Sequence, residues 1–377
     1  MAPESRSPES IAGRQAFELV CCCARTQVLP EHAERAEALV REGVAWGLVN
    51  RLAVLHGVHA LVDRALLAVC PEALPDALAG ELHQRTRATA VFNTLLASEL
   101  GRLLGRLDAR ALPALALKGP ALAQMAYGDV RLRVYLDLDV LVRGEDFRAV
   151  KSVLAEEGYA PRAARAGSHG LRTKISLWQA RQYVFTRGAG VFNLDLHTAV
   201  MPPLYYYAMD FDALWSRAEA VRVGEAAVQC CGPEDTLLML CFHGAKNRWE
   251  TLKYVCDVAE LIRARPGLDW DRVRRQARTT RAERMLYLGL HLAHALLGAA
   301  LPEEVAQRIE RDRPVRQIGE RLLERFPTQV YEGSVAWEER FRFHLAIQDT
   351  VATRVRYGSV ALLRRLWDLV PPRNAAG

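Results

Sequence analysis

The chain has 377 residues, of which 50% are hydrophobic and 25% are charged. This is the balance of an ordinary globular protein, and the length is sufficient for two or three domains. The net charge of +6 arises without any run of five or more basic residues. The composition therefore argues against a nucleic-acid-binding arm, and nucleic acid is not an expected partner.

The N-terminal region, residues 13–101, has apolar residues at spacings of three and four, which predicts a helical subdomain. The polar segment 1–12 before it has no apolar signal core and is predicted to be a disordered tail. Two histidines of the helical region, His56 and His59, are most simply interpreted as structural helix residues. We predict a core at residues 102–232 and a second helical domain at 233–377.

The eight cysteines include three consecutive ones at positions 21–23. Their spacing is not that of a secreted disulfide framework, and no C-x-x-C pair indicates a zinc site. The most apolar stretch, 287–302, contains two histidines and is shorter than a membrane span requires. We therefore expect a cytoplasmic protein with reduced thiols and no membrane association.

Two aspartates lie close together in the stretch 117–142. In a strand, alternation places Tyr135, Asp137, Asp139 and Leu141 on one face and apolar residues, including Leu136, on the other. Neighbouring carboxylates repel each other unless a cation neutralises them. A divalent metal with oxygen ligands, Mg²⁺ or Mn²⁺, would do so. The alternative is that both aspartates lie on the solvated face of an edge strand.

A glycine turn precedes these aspartates. Lys118-Gly119-Pro120 follows a short apolar run, 114–117, and begins a predicted helix that ends at Gly128. Glycine allows the backbone to approach an anion closely, and a helix N-terminus favours negative charge. Strand, glycine turn, helix and a strand with Asp-x-Asp form an arrangement that can hold phosphates.

At these residues the chain resembles the DNA polymerase β-like nucleotidyltransferase superfamily, and more closely a family of uncharacterised bacterial nucleotidyltransferase proteins. The matching positions are Lys118, Gly119, Tyr127, Gly128, Asp129, Arg133, Asp137 and Asp139. Segments 44–58, 193–197 and 243–262 also resemble that family. The chain departs from the superfamily in having Lys-Gly-Pro in place of Gly-Gly or Gly-Ser, and Thr198 where tryptophan often follows the Asp-x-His.

The resemblance implies an α+β fold, in which a small mixed sheet forms the nucleotidyltransferase core between N-terminal and C-terminal helical subdomains. A second strand at 191–197, joined as a hairpin to the strand 178–185, places Val191, Asn193, Asp195 and His197 on one face. The resemblance assigns Asp195 as the third metal-binding aspartate. His197 either supports the metal site or the acceptor, or is a surface strand residue.

The segment 233–262 is predicted to be helical, with His243 and Lys246 on one face. In related proteins such helices supply cations for the triphosphate, whereas the alternative for Lys246 is a solvated face. His243 is a candidate acceptor contact, and Asp257 is either functional or a helix cap. Arg133 either binds nucleotide or forms a structural salt bridge. The Arg-, Ala- and Gly-rich segment 160–176 is either a mobile loop or a plain connector.

The implied activity is that of a nucleotidyltransferase, an enzyme that transfers a phosphorus-containing group. It would move a nucleoside monophosphate from an NTP, with ATP expected, to a small-molecule, peptide or protein acceptor and release pyrophosphate. Asp137, Asp139 and Asp195 would hold the metals, and Lys118 and Gly119 would bind the phosphates.

Three alternatives to this activity differ in what they require of the sequence. A glycosyltransferase would need an α/β half upstream, where this chain is helical. A kinase-like enzyme would need a G-x-G-x-x-G loop or a P-loop, and neither is present. A non-catalytic nucleotide-binding or partner protein that retains the fold remains the main alternative.

Overall fold

A computed structural model describes residues 8–162, 181–201, 209–328 and 336–369. The helices are α1 (Pro8–Cys23), α2 (Pro30–Glu42), α3 (Trp46–Leu55), α4 (His59–Val69), α5 (Asp76–Asp108), α6 (Gly119–Tyr127), α7 (Phe147–Glu156), α8 (Phe211–Trp215), α9 (Pro233–Lys246), α10 (Leu252–Ala264), α11 (Trp270–Thr279), α12 (Glu283–Leu297), α13 (Glu303–Arg311), α14 (Arg313–Arg325), α15 (Trp337–Ala346) and α16 (Val351–Leu369). Short 3-10 helices lie at Pro71–Ala73 and Phe326–Thr328.

The described strands form one seven-stranded mixed sheet in the order β3-β4-β5-β2-β1-β7-β6. They are β1 (Ala114–Ala116), β2 (Leu138–Val142), β3 (Ala160–Pro161), β4 (Gln182–Arg187), β5 (Phe192–His197), β6 (Glu219–Val223) and β7 (Ala226–Cys230). In the centre, β2 pairs antiparallel with β1 and parallel with β5. The predicted α+β class is confirmed, and so is the predicted hairpin, which β4 and β5 form.

The two faces of β2 belong to different parts of the core. Leu138, Val140 and Val142 face the main hydrophobic core, whereas Leu141 packs on the other side with residues that include Leu115. The strand begins only at Leu138, so the alternation predicted from Tyr135 onward fails at Leu136, which is 67% exposed. Asp139 therefore lies within the sheet, and Asp137 lies in the bend before it.

The predicted helical run 233–262 is divided into α9 and α10 by a tight turn. In this turn Arg248 and Trp249 have positive φ angles, a conformation that side chains disfavour. Trp249 is fully buried against Gly244 and Gly289, where an added Cβ would lie 2.5 Å and 2.8 Å from the indole ring. Because the indole fills this notch, the turn is fixed and the two helices are held side by side.

The N-terminal and C-terminal helical regions touch each other. Phe17 of α1 stacks on Phe326 with ring centroids 5.8 Å apart. Residues 8–12 of the predicted tail belong to α1, and residues 1–7 lie outside the described part of the chain, as does most of the segment 160–176. The limits of the subdomains remain predictions, and α5 runs across the predicted boundary at residue 101.

All eight cysteines are buried free thiols, in agreement with the sequence prediction. Among the helices that the structure describes, none combines the length and apolar character needed to cross a bilayer.

Candidate active site

Two carboxylates face each other across the parallel strands β2 and β5. The Cα atoms of Asp139 and Asp195 are direct register partners. Within the described residues, one group of three potential metal ligands comprises Asp139, Asp195 and His197, whose ligand atoms all lie within 4.8 Å of one another. Asp137 is outside this group, but its side chain lines the same cavity. The sheet thus brings together two of the three predicted metal-binding aspartates, with the third adjacent.

Asp139 is the most enclosed of these carboxylates, with 4% of its surface exposed. Its Oδ1 lies 3.0 Å from Nζ of Lys118 and accepts a hydrogen bond of 2.9 Å from Nε2 of His197. Burial alone would favour the neutral acid, but the Lys118 charge and the His197 hydrogen bond hold the pKa of Asp139 well below its usual range. Asp139 is therefore a carboxylate throughout the physiological range.

The pKa values of the two neighbouring aspartates are shifted in the opposite direction. Burial and the charge of Asp139 raise the pKa values of both Asp137 and Asp195. Asp195 also accepts a hydrogen bond from the Gln182 amide. Like charges held this close favour a cation between them, and carboxylate oxygens are ligands that suit Mg²⁺ and Mn²⁺. The donor set therefore fits a divalent metal.

The start of α6 lies directly against the carboxylates. Lys118 occupies the N-cap position, and Gly119 follows with a φ of +57°. A Cβ at Gly119 would lie 3.2 Å from the backbone oxygen of Asp137, so the close approach requires glycine. The amide of Leu117 donates to the backbone oxygen of Asp139 at 3.0 Å, which ties this turn to β2. A helix N-terminus thus lies beside the acidic cluster, as predicted from the glycine turn.

A cavity of about 280 Å³ opens in front of these groups. Its size is near the lower end of small-molecule sites, which span roughly 300 to 1,000 Å³. His243 and Lys246 both line it from the last turns of α9, as the shared helix face predicted. Burial and the charge of Lys118 lower the pKa values of both side chains. The lowered pKa favours the neutral form of His243, whereas Asp139 and Asp195 favour the charged form of Lys246.

Arg133 forms a buried salt bridge with Asp257. Its Nε and one terminal nitrogen lie 2.7 Å and 2.9 Å from the two carboxylate oxygens, and Tyr127 donates to the same group at 2.7 Å. Although burial disfavours charge here, Asp257 raises the pKa of Arg133. Of the two predicted alternatives for Arg133, the structure shows the salt bridge, and Arg133 also borders the cavity. Asp257 lies within α10 rather than at its end, so the helix-cap interpretation was wrong.

Three further residues line the cavity that were not predicted from the sequence: Gln182, Lys253 and Tyr254. The Lys253 ammonium donates to the backbone oxygen of Val134 at 3.3 Å, and burial, with the charge of Arg133, lowers its pKa to about 8. A signal for Lys253 was present. It lies seven residues after Lys246, two helical turns along the same face of the predicted helix.

Residues 42–298 match the sequence model of a family described as uncharacterised nucleotidyltransferase. The chain belongs to this family. The protein is accordingly a nucleotidyltransferase, and the enzyme class expected from its motifs is confirmed. A search of curated protein sequences gives no match.

Several solved structures are similar to the nucleotidyltransferase described here. A crystal structure of ANT(2″)-Ia in complex with adenylyl-2″-tobramycin shares 16% identity at a TM-score of 0.35, covering 50% of this chain and 97% of the other. A solution structure of the antibiotic-resistance factor ANT(2″)-Ia shares 16% identity at a TM-score of 0.35. The match covers 54% of this chain and 98% of the other. A crystal structure of an antigenic nucleotidyltransferase-like protein from Paracoccidioides brasiliensis shares 13% identity at a TM-score of 0.31. The match covers 57% of this chain and 96% of the other.

Proposed function

We propose that this nucleotidyltransferase is metal-dependent and transfers a nucleoside monophosphate from an NTP, with ATP as the expected donor, to a small-molecule, peptide or protein acceptor. The observation that carries the proposal is the register pairing of Asp139 with Asp195 beside the N-terminus of α6, in one cavity. Placement in the DNA polymerase β-like superfamily and a cytoplasmic location belong to the same proposal.

The residues proposed to hold Mg²⁺ or Mn²⁺ are Asp137, Asp139 and Asp195. His197 donates to Asp139 and thereby orients this carboxylate, which agrees with its predicted supporting role. When bound, a divalent metal supplies positive charge to the phosphate oxygens and to the leaving group. The mutual repulsion of these carboxylates is the physical reason for a cation in this place.

The phosphates are proposed to bind between α6 and α9. The Gly119 amide at the helix N-terminus and the ammonium groups of Lys118 and Lys246 stabilise negative charge there. His243 faces the same cavity and is proposed to contact the acceptor. An acceptor oxygen forms a bond to the α-phosphorus and loses its proton to solvent. The bond from the α-phosphorus to the bridging oxygen breaks, and pyrophosphate leaves with the electron pair.

Two labels on ATP test the proposal. With Mg²⁺ and a broad acceptor panel, label on the α-phosphate should move to the product, and label on the γ-phosphate should leave as pyrophosphate. Mass spectrometry should show the acceptor with one added nucleoside monophosphate. Transfer of γ-label to the acceptor would contradict the proposal and favour a kinase-like reaction. Absence of turnover with all four NTPs would favour the non-catalytic alternative.

A further inference from the structure

His56 is a buried histidine just after α3, with 2% of its surface exposed. Its ring lies between Phe17 and Phe326, with centroid distances of 5.4 Å and 5.7 Å. Nδ1 accepts the backbone N–H of Leu252 at 3.2 Å, and Nε2 lies 3.2 Å from the Phe326 carbonyl oxygen. Because Nδ1 accepts a hydrogen bond, the ring proton is on Nε2, which donates to Phe326. Both nitrogens of the neutral His56 ring are therefore hydrogen-bonded.

These contacts cap α10 from a distant part of the chain. The first N–H groups of a helix have no partner within the helix. At the start of α10 the N-cap residue, Thr251, makes no capping hydrogen bond through its side chain. His56 provides two partners, because its ring accepts from Leu252 and its carbonyl oxygen accepts from the N–H of Lys253 at 3.1 Å. It thus fulfils the role of an N-cap although 196 residues separate it from Leu252.

The capped turn carries Lys253 into the active-site cavity. Next to His56, Gly57 has a φ of +66°, and a Cβ added there would lie 3.5 Å and 3.6 Å from Cδ and Cβ of Lys253. At the other end of this side chain, Nζ donates to the backbone oxygen of Val134, three residues before Asp137. The side chain of Lys253 therefore runs past Gly57 and is fixed at its end by the hydrogen bond to Val134.

We propose that His56 is a positioning residue of the active site, which caps α10 and so fixes Lys253 where its ammonium binds a phosphate group of the nucleotide. This rests on the proposed function, since that reaction brings the triphosphate into the cavity. Phosphate is the ligand chemistry that matches a largely buried ammonium beside metal-binding carboxylates. The N-terminal helical region then contributes to substrate binding without touching substrate.

A double-mutant cycle tests this coupling. The dissociation constant of the α,β-methylene analogue of ATP, with Mg²⁺, is measured for wild type, His56→Gln, Lys253→Met and the double variant. Lys253→Met should weaken binding roughly tenfold, the loss expected for one charge-assisted hydrogen bond. His56→Gln should also weaken it, because the Gln amide lies at the position of Nε2 and leaves Leu252 without an acceptor. In the Lys253→Met background, the same change should cost less than about twofold, since coupled effects are not additive.

A matched variant separates capping from packing. His56→Asn places an amide oxygen at the position of Nδ1, where it can accept from Leu252, so it should recover most of the affinity that His56→Gln loses. His344→Gln, a change at another buried histidine, lies in α15 and should leave the affinity unchanged.

The outcomes are distinguishable from a failure of the proposed function. If wild type does not bind the analogue, the proposed function fails. If wild type binds but the two substitutions act additively, or His56→Asn is as weak as His56→Gln, the positioning role is overturned. Circular dichroism establishes that each variant is folded. If His56→Gln does not fold, Gly57→Ala takes its place in the cycle, because alanine is strained at this φ and the strained turn lies in contact with the Lys253 stem.

Discussion

At the scale of single residues, Asp139 is the group on which the site depends. Its carboxylate is buried, yet it accepts from His197, lies against Lys118 and faces Asp195 across the sheet. A buried carboxylate with these partners stays ionised, since the loss of hydration is offset by the nearby charge and hydrogen bond. Removing its charge would leave Lys118 without this counter-ion as well as removing a metal ligand.

Asp139→Asn should therefore abolish metal-dependent nucleotide binding. We expect a loss larger than the roughly 10- to 100-fold that follows removal of a group hydrogen-bonded to a metal ligand. Calorimetric titration with Mn²⁺ and ATP measures it. The control is Asp212→Asn, because the Asp212 side chain is 64% exposed and pairs with Arg143 away from the cavity. Equal affinities in Asp139→Asn and wild type would refute the metal-binding role.

His56 predicts a dependence of stability on pH. Burial lowers the pKa of this histidine to about 4 from an ordinary 6.5, so the unfolded chain binds a proton that the folded chain resists. The contribution of the neutral His56 ring to the free energy of unfolding is complete above pH 6.5 and is lost as the pH falls through 4. The shift in pKa between the unfolded and folded chain corresponds to roughly 3 kcal/mol. The free energy of unfolding in urea should therefore fall less steeply over this range in His56→Asn than in wild type. Parallel curves would contradict the prediction.

The residue scale also shows what the sequence could reveal. Strand alternation and the family resemblance were sufficient to place Asp195 near Asp139, because both signals are local to a strand. The pairing of Arg133 with Asp257 was open, since nothing in the spacing of residues 124 positions apart states which of several charges they meet. The spacing of Lys253 from Lys246 indicates a shared helix face, but its place in the cavity depends on the Trp249 turn, whose left-handed residues have no sequence signature.

At the scale of elements, helix caps divide into predictable and unpredictable ones. Asp210, Asp269 and Asp312 cap the helices that they directly precede, and such local caps can be read from the sequence. By contrast, the N–H groups of Glu283 and Arg284 at the start of α12 donate to Asp349, 66 and 65 residues away. His56 and Asp349 show that two described helices depend on distant segments for their start.

The turn before α6 gives a prediction at this scale. Gly119→Ala should cost more stability than Gly128→Ala, although both glycines have positive φ angles, +57° and +70°. At Gly128 the added Cβ meets nothing within 4 Å, so the cost is the backbone strain alone, about 1 to 2 kcal/mol. At Gly119 the Cβ also approaches the backbone oxygen of Asp137 to 3.2 Å and displaces that segment.

Urea unfolding compares the two variants, and nucleotide binding provides the second measurement. Gly119→Ala should weaken binding, while Gly128→Ala should not, because only the first disturbs the contact between α6 and the carboxylates. Equal losses of stability and affinity would show that the close approach at Gly119 has no special role.

At the scale of the whole molecule, the cavity is assembled from strands and helices that lie between residues 117 and 254 of the chain. The sheet contributes the carboxylates, α6 contributes a helix N-terminus, and α9 and α10 contribute the cations. The N-terminal helices reach the same site through His56, whose ring also joins Phe17 and Phe326. Periodicity predicted the helical regions and the family resemblance implied the sheet between them. Neither could predict these contacts, because they join residues that no local pattern relates.

A ligand that bridges these segments should stabilise the entire fold. Binding to the native state alone adds about 2.7 kcal/mol at a ligand concentration 100 times the dissociation constant. The unfolding entropy of a chain of this size corresponds to a rise of roughly 1 to 1.5 °C in melting temperature for each kcal/mol, so we expect Mg²⁺ with ATP to raise the melting temperature by about 3 to 4 °C. Differential scanning calorimetry measures the shift with Mg²⁺ and ATP together and with each alone.

The metal decides the outcome of this last experiment. Without it, the triphosphate enters a cavity in which Asp137, Asp139 and Asp195 repel it, and the three lysines, Lys118, Lys246 and Lys253, only partly offset the repulsion. ATP with a chelator should therefore shift the melting temperature much less than ATP with Mg²⁺, and Asp139→Asn should remove the difference between the two conditions. An equal shift with and without metal would mean that the lysines alone hold the nucleotide, and the carboxylates would then need a different role.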